Sequence, residues 1–138
     1  MNQFISDKNI GVAISVAAGA AGDTDITGAT IDTANYEGVA VIVQLGAIEA
    51  TAVTALKLQD SPDGSAWTDI ASTDITVAAD DDNEVRYLDL HRPSERYVRV
   101  YADRATADAT MTATYALYGS RSAILAQPTG TEGVAVAG

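Results

Sequence analysis

The sequence predicts an all-β chain: an antiparallel β-sandwich, jelly-roll-like, with extended N- and C-terminal arms. Three observations carry that expectation. Apolar and polar side chains alternate in segment after segment, the period-two signature of half-buried strands, and no long stretch repeats every 3.6 residues. Turn residues separate those segments at short, regular intervals, as they do in sandwiches. Composition agrees, with 3 prolines, 11 glycines and 15 threonines among 138 residues, a balance that suits strands and tight turns.

Residues 10–16 and 26–33 each offer a strand. Residues 38–46 (GVAVIVQLG) place Val39, Val41, Val43 and Leu45 on one face, with Ala40, Ile42 and Gln44 on the other. This reads as a central strand covered on both sides. In residues 53–59, Leu56 and Leu58 oppose Ala55, Lys57 and Gln59. Ser61-Pro62-Asp63-Gly64 then closes a hairpin: proline presets φ, Asp63 tolerates the third position and Gly64 supplies the left-handed residue. Residues 66–70 (AWTDI) begin the return strand. Residues 85–90, 97–103 and 110–119 form three more, joined by turns at Arg92-Pro93-Ser94-Glu95 and at 104–108. Seven or eight strands without a helix suit a jelly roll or an immunoglobulin-like sandwich, and the missing Cys-Trp-Cys framework disfavours the second.

A chain of this length builds one domain with a real core. The hydrophobic fraction is 47%, yet 26 residues are alanine, so the core rests on Val, Ile and Leu. The chain divides into an N-terminal arm with room for an edge strand (1–23), the sandwich (24–121) and an Ala/Gly-rich C-terminal tail (122–138). Residues 17–30 and 122–138 have few large anchors and are expected to order against neighbouring chains, which implies an assembly, with docking on their own domain as the plainer alternative. Residues 10–22 (IGVAISVAAGAAG) have the look of a signal-peptide core. Asp7 beside Lys8 removes the positive flank and the chain starts at Met1, so secretion is not expected. No apolar run approaches the ~18 residues of a membrane span.

The residue inventory disfavours most catalytic chemistry. Without cysteine there is no disulfide scaffold, thiolate nucleophile or Cys-based zinc site, which fits a reducing cytosol. His91 is the one histidine, at a strand end beside Arg92, and no G-x-S-x-G elbow occurs. It reads as a surface turn residue, not a triad member. The run Asp80-Asp81-Asp82-Asn83-Glu84 would be an EF-hand loop only with Gly sixth and Glu twelfth, where Val85 and His91 stand. It reads as a solvated loop tip, with a different kind of cation site as the alternative. Gly19 and Gly22 match no phosphate-binding fingerprint, and nothing singles out a carboxylate pair among 19 acids. The expectation is a non-enzyme with no cofactor and no metal.

Charge is more informative. Lys+Arg number 8 against Asp+Glu 19, a formal net charge of −11, which argues against nucleic acid as a partner. Residues 1–85 hold 2 basic and 14 acidic side chains, whereas residues 86–121 hold 6 arginines against 4 acids. Alternation in residues 97–103 turns Tyr97, Arg99 and Tyr101 outward and Val98, Val100 and Ala102 inward. Tyrosine and arginine are enriched at interface hot spots. Arg86, Arg92, Arg96, Tyr97, Arg99, Tyr101 and Arg104 are therefore the candidate partner interface, against the plainer alternative of an ordinary outward face with snorkelling side chains. A surface polarised in this way would keep one side for solvent and another for a partner.

Three blocks carry a resemblance: ATIDTANYEGVAVIVQLGAI, TALKLQDSPDGSAWTDI, and NEVRYLDLHRPSERYVRVYADRATADATMTATYALYG. Together, from about Ala29 to Gly119, they resemble the jelly-roll cement or decoration proteins that coat tailed-bacteriophage heads. The resemblance implies a structural virion protein without catalytic residues. Such a protein is assembled in the host cytoplasm, binds the outside of the capsid and bridges adjacent major capsid proteins. A homo-oligomer is expected, a dimer ahead of a trimer, with no nucleic acid or membrane partner. The middle block also looks like the S-x-DG-x-x-W hairpin of discoidin-type carbohydrate-binding domains. That makes a glycan-binding module the alternative, with Trp67 as a sugar platform, unless Trp67 simply plugs the core.

Overall fold

The structure, a computed structural model, describes residues 9–121. Residues 1–8 of the expected arm and the whole expected tail, 122–138, lie outside the described residues. In chain order the strands are β1 (Asn9–Ile14), β2 (Ile26–Thr27), β3 (Ile31–Asp32), β4 (Gly38–Ile48), β5 (Val53–Ser61), β6 (Thr68–Asp69), β7 (Ile75–Val77), β8 (Val85–His91), β9 (Tyr97–Thr106) and β10 (Ala109–Tyr118). Among the described residues there is no helix.

Four strands form one antiparallel sheet in the order β1-β10-β4-β8. The other six form a second sheet around the β9–β5 pair, with β2 and β3 on the far side of β9 and β6 and β7 on the far side of β5. Taking β2 with β3, and β6 with β7, as two interrupted strands leaves eight. They nest so that first pairs with last, second with seventh, third with sixth and fourth with fifth. That nesting makes the sandwich a jelly roll and removes the immunoglobulin alternative.

Both interruptions have local causes. Between β2 and β3, the Gly28 N–H donates to the Val100 carbonyl (2.8 Å) and the Ala29 N–H to the Ala13 carbonyl (2.8 Å). Between β6 and β7, the Thr73 hydroxyl accepts the Leu58 N–H (3.1 Å) and donates to the Ile70 carbonyl (2.7 Å). A side chain there replaces one rung of the ladder, while Ser72 turns the chain at φ 64°. The three-residue strand β7 has no counterpart in the sequence reading, because three residues are too few to show a period.

The core forms where the inward rows of the two sheets meet. Val39, Val41, Val43 and Leu45 of β4 join Leu56 and Leu58 of β5 and Val98, Val100 and Ala102 of β9 in one buried cluster. Strand β4 is not covered on both sides as its sequence suggests. Ile42 is 45% exposed and Gln44 is exposed, because the outer face of the four-stranded sheet carries no further layer among the described residues. The hairpin turn has the expected left-handed Gly64, at φ 76°. Its Asp63 carboxylate accepts the N–H groups of Ser65 (2.8 Å) and Ala66 (3.1 Å). Those bonds, the Ser65 one foremost, hold its pKa below the usual 3.8.

Residues 10–14, which look like a signal core in sequence, are most of the edge strand β1. The segment after it also departs from expectation, since the sandwich itself holds it. The Met111 N–H donates to the Gly19 carbonyl (3.0 Å), and a Cβ on Gly19 would stand 1.4 Å from the Met111 carbonyl oxygen. Only glycine lets this backbone lie so close. A poverty of large side chains therefore reflects tight docking here, not a wait for a neighbour.

Candidate partner interface

The six-stranded sheet turns a polar and aromatic face outward. Alternation on β9 presents Tyr97, Arg99 and Tyr101, and cross-strand register sets Lys57 of β5 opposite Tyr101 and Gln59 opposite Arg99. Asp69 of β6 follows opposite Gln59. The side chains bind one another in a continuous chain. Tyr101 donates to Asp25 Oδ2 (2.7 Å), and Lys57 Nζ lies 5.3 Å from the Tyr101 ring centroid. Lys57 also pairs with Asp69 (2.6 Å), whose other oxygen accepts from Gln59 (2.7 Å). The Gln59 carbonyl accepts Arg99 Nε (2.8 Å), and the Arg99 guanidinium stacks 4.2 Å from the Trp67 ring centroid. Each group is held in place by its neighbours, the kind of pre-ordering that lowers the entropy cost of binding at a contact surface.

The protonation states follow from these contacts. The Tyr101 hydroxyl is pushed up to about 12, by its bond to Asp25 first and by burial second. Asp25 is held below its usual value by that same bond and by the Arg104 N–H. Lys57 is raised by Asp69, and Asp69 is lowered by Lys57. Burial lowers the Arg99 guanidinium, which nevertheless stays charged at neutral pH.

The seven candidate residues do not form one patch. Tyr97, Arg99 and Tyr101 share the outer face of β9, and Arg96 stands beside them, bonded to Asp32 through Nε (3.1 Å) and Nη2 (2.8 Å) and 5.0 Å from the Tyr97 ring centroid. Arg86 lies on the other sheet, paired with Asp81 (2.8 Å) and Glu84 (2.5 Å). Arg92 sits in the turn after β8 at φ 54°. Arg104 is 4% exposed and belongs to the inward row of β9, so it is no surface residue. Its Nε donates to the Thr24 carbonyl (2.6 Å) and its Nη1 to the carbonyls of Ala20 (2.8 Å) and Ala109 (3.0 Å). A guanidinium tolerates this burial because its donors meet carbonyl oxygens. Its role is to tie residues 20–25 to the sheet.

The charge division along the chain also fails to become a divided surface. Acids from the first half, Asp25, Asp32 and Asp81, fold onto Tyr101, Arg96 and Arg86 of the second. Trp67 is half-buried and stands outside the hydrophobic core cluster, so it is not the core plug. In the acidic run, Asp81 caps the Ala78 N–H (2.8 Å) and Asp82 the Ile48 N–H (2.6 Å). Among the described residues no group of three or more His, Cys, Asp or Glu side chains could hold a metal ion. His91 is exposed and stacks parallel to Tyr118, with ring centroids 6.5 Å apart.

The opposite face differs in kind. On the outer side of the four-stranded sheet, register aligns Val12, Thr114, Ile42 and Tyr87 in one cross-strand row, and Thr112, Gln44 and Val85 in the next. Val12, Val85 and Tyr87 are 59%, 57% and 71% exposed. Asp89 is the one carboxylate among the outward positions of these four strands, and it accepts the Tyr118 hydroxyl (2.6 Å). Nothing local in the sequence marks this face, because its apolar members come one or two at a time from three separate strands, with the threonines of β10 between them.

No protein-family model matches the chain, and no curated protein matches its sequence. Solved structures share its fold. The SPBc2 prophage-derived protein YomS aligns with a TM-score of 0.51 at 10% identity, over 84% of this chain and 96% of that one. The PBSX exported protein XepA aligns with a TM-score of 0.60 at 12% identity, over 99% of this chain and 46% of that one. The chain thus spans about half the length of XepA. At these identities the likeness is one of fold.

Proposed function

We propose that this chain is a structural protein of a bacteriophage virion, a cement protein that binds the outside of the head and bridges adjacent major capsid proteins. The observation that carries this reading is the jelly roll itself, a fold shared with a protein described as derived from the prophage SPBc2 and with the PBSX exported protein XepA. Sequence blocks that resemble phage cement proteins span the same sandwich. The outer face of the six-stranded sheet is the lattice-facing surface in this reading. Tyr97, Arg99 and Tyr101 are pre-ordered there, and many copies around a shell multiply each weak contact. The protein acts by contact alone, with no catalytic step, cofactor, nucleic acid or membrane.

The test uses purified heads of the parent phage stripped of this protein. Wild-type chain should rebind and raise the temperature at which heads release DNA. The Arg96→Glu/Arg99→Glu chain should lose at least about tenfold in occupancy, the scale of interface hot spots, with its circular dichroism spectrum retained. Failure of the wild type to bind heads would overturn the reading. Trp67 outside the core favours a second reading, a carbohydrate-binding module. Quenching of Trp67 fluorescence by a defined oligosaccharide, with no binding to heads, would select it.

A further inference from the structure

The outer face of the four-stranded sheet calls for an occupant. Monomeric proteins rarely expose large apolar patches, and here Ile42 lies directly opposite Tyr87, Val85 stands two residues before Tyr87 on β8, and Val12 completes the Ile42 row beyond Thr114. Charge selects the occupant. The chain carries −11, so two copies repel one another through most of their surface, yet this face holds one outward carboxylate among its four strands. Faces depleted of charge and rich in apolar area are characteristic of homodimer interfaces.

The pattern is also self-complementary. A two-fold axis running along the strands between β10 and β4 maps β8 of one copy onto β1 of the other. Within the row Val12–Thr114–Ile42–Tyr87 it lays Tyr87 over Val12 and Ile42 over Thr114, each contact occurring twice. In the next row it carries Val85 toward the hollow of roughly 440 Å³ lined by Val16, Gln44 and Thr112. Four strands ~4.8 Å apart and about seven residues long at ~3.4 Å each present roughly 450 Å² per copy. Side-chain relief brings the two copies to about 1,000 Å², the size at which a specific interface begins.

We propose that two copies of this chain pack face to face through the outer surface of the four-stranded sheet, with Tyr87 of each copy against Val12 of the other. The dimer is measured on the purified chain alone, so its failure would leave the cement reading standing. Sedimentation of the purified full chain should show a monomer–dimer equilibrium that tightens with added salt, because salt screens the repulsion between acidic copies. Val12→Lys and Tyr87→Asp should each weaken the dimer at least about tenfold, since each sets a charge against an apolar partner without a counter-charge. Mixing those two chains should restore association, by pairing the new charges across one of the two contacts. Arg99→Glu, on the opposite face, should leave the dimer unchanged. Both substituted positions are exposed, and circular dichroism checks the fold. As a second readout, chains carrying Val12→Cys and Tyr87→Cys should form a disulfide-linked pair on mild oxidation, there being no native cysteine. A wild type that stays monomeric would overturn the inference, as would a trimer, a dimer indifferent to Tyr87→Asp, or a mixture that does not reassociate. A monomeric wild type whose head binding is lost on Tyr87→Asp would instead assign the face to the capsid.

Discussion

Tyr101 and Asp25 stand 76 residues apart in sequence and share one proton-bearing contact. Its consequence for stability has a definite sign on each side of neutrality. Tyr101 titrates at about 12 in the folded chain against 10.0 ordinarily, so between those values the folded state keeps a proton that the unfolded state has lost. Stability is full below about pH 10 and falls as pH rises toward 12. Tyr118 is also pushed up to about 12, by burial first and by Asp89 second, and adds to the same alkaline limb. Asp25 is depressed, so its contribution is present above its usual 3.8 and is lost as pH falls further. In urea titrations from pH 9 to 12, the Tyr101→Phe/Tyr118→Phe chain should lose most of the alkaline decline. A decline as steep as the wild type's would show that other groups govern it.

At the scale of elements, the docked segment after β1 depends on one side chain. Arg104 supplies three hydrogen bonds that hold residues 20–25 and the start of β10 together. Arg104→Met keeps the apolar stem and strands those carbonyls, at about 2–4 kcal/mol for a buried, charge-assisted network. Hydrogen exchange should locate the damage in residues 15–28 and at the Met111 N–H, leaving the β4–β10 ladder protected; a loss below about 0.5 kcal/mol would leave Arg104 with no such role. Strands β4 and β9 were legible in the sequence because one-sided burial writes itself as a period of two, as in Val39 to Leu45 and Tyr97 to Asp103. Arg104 continues the inward row of β9, yet the sequence places it in the turn at 104–108 and among the interface candidates, since nothing local shows that carbonyls of Ala20 and Thr24 fold over it. The break between β6 and β7 was hidden for a similar reason: Thr73 acts on Leu58, fifteen residues back. The candidate interface was legible only where it follows one strand. Tyr97, Arg99 and Tyr101 stayed together, while Arg86 and Arg104 were separated by pairing rules that act across the whole chain.

For the whole molecule, the balance lies between a net charge of −11 and a set of local ion pairs. Exposed pairs are each worth about 0.2–1 kcal/mol, while the excess of acids acts over every separation shorter than the Debye length, ~10 Å at 0.1 M salt. The excess should prevail. Raising sodium chloride from about 10 to 300 mM should raise the midpoint of thermal unfolding; a lower midpoint would mean that the paired network outweighs the repulsion.

The nested strand pairing has one more consequence, for the chain's connections. Asn9, where β1 begins, lies opposite Leu117 near the end of β10, so the backbone enters and leaves the sandwich side by side. A peptide or enzyme joined directly at residue 9 or residue 121 would depart from the same pole of the sandwich. The whole sandwich can equally be spliced into a loop of a host protein through two adjacent attachment points. Joining residue 9 to residue 121 through a short linker and reopening the chain in the turn at residues 92–95 would preserve every pairing of both sheets, which makes this jelly roll a candidate scaffold for circular permutation and display.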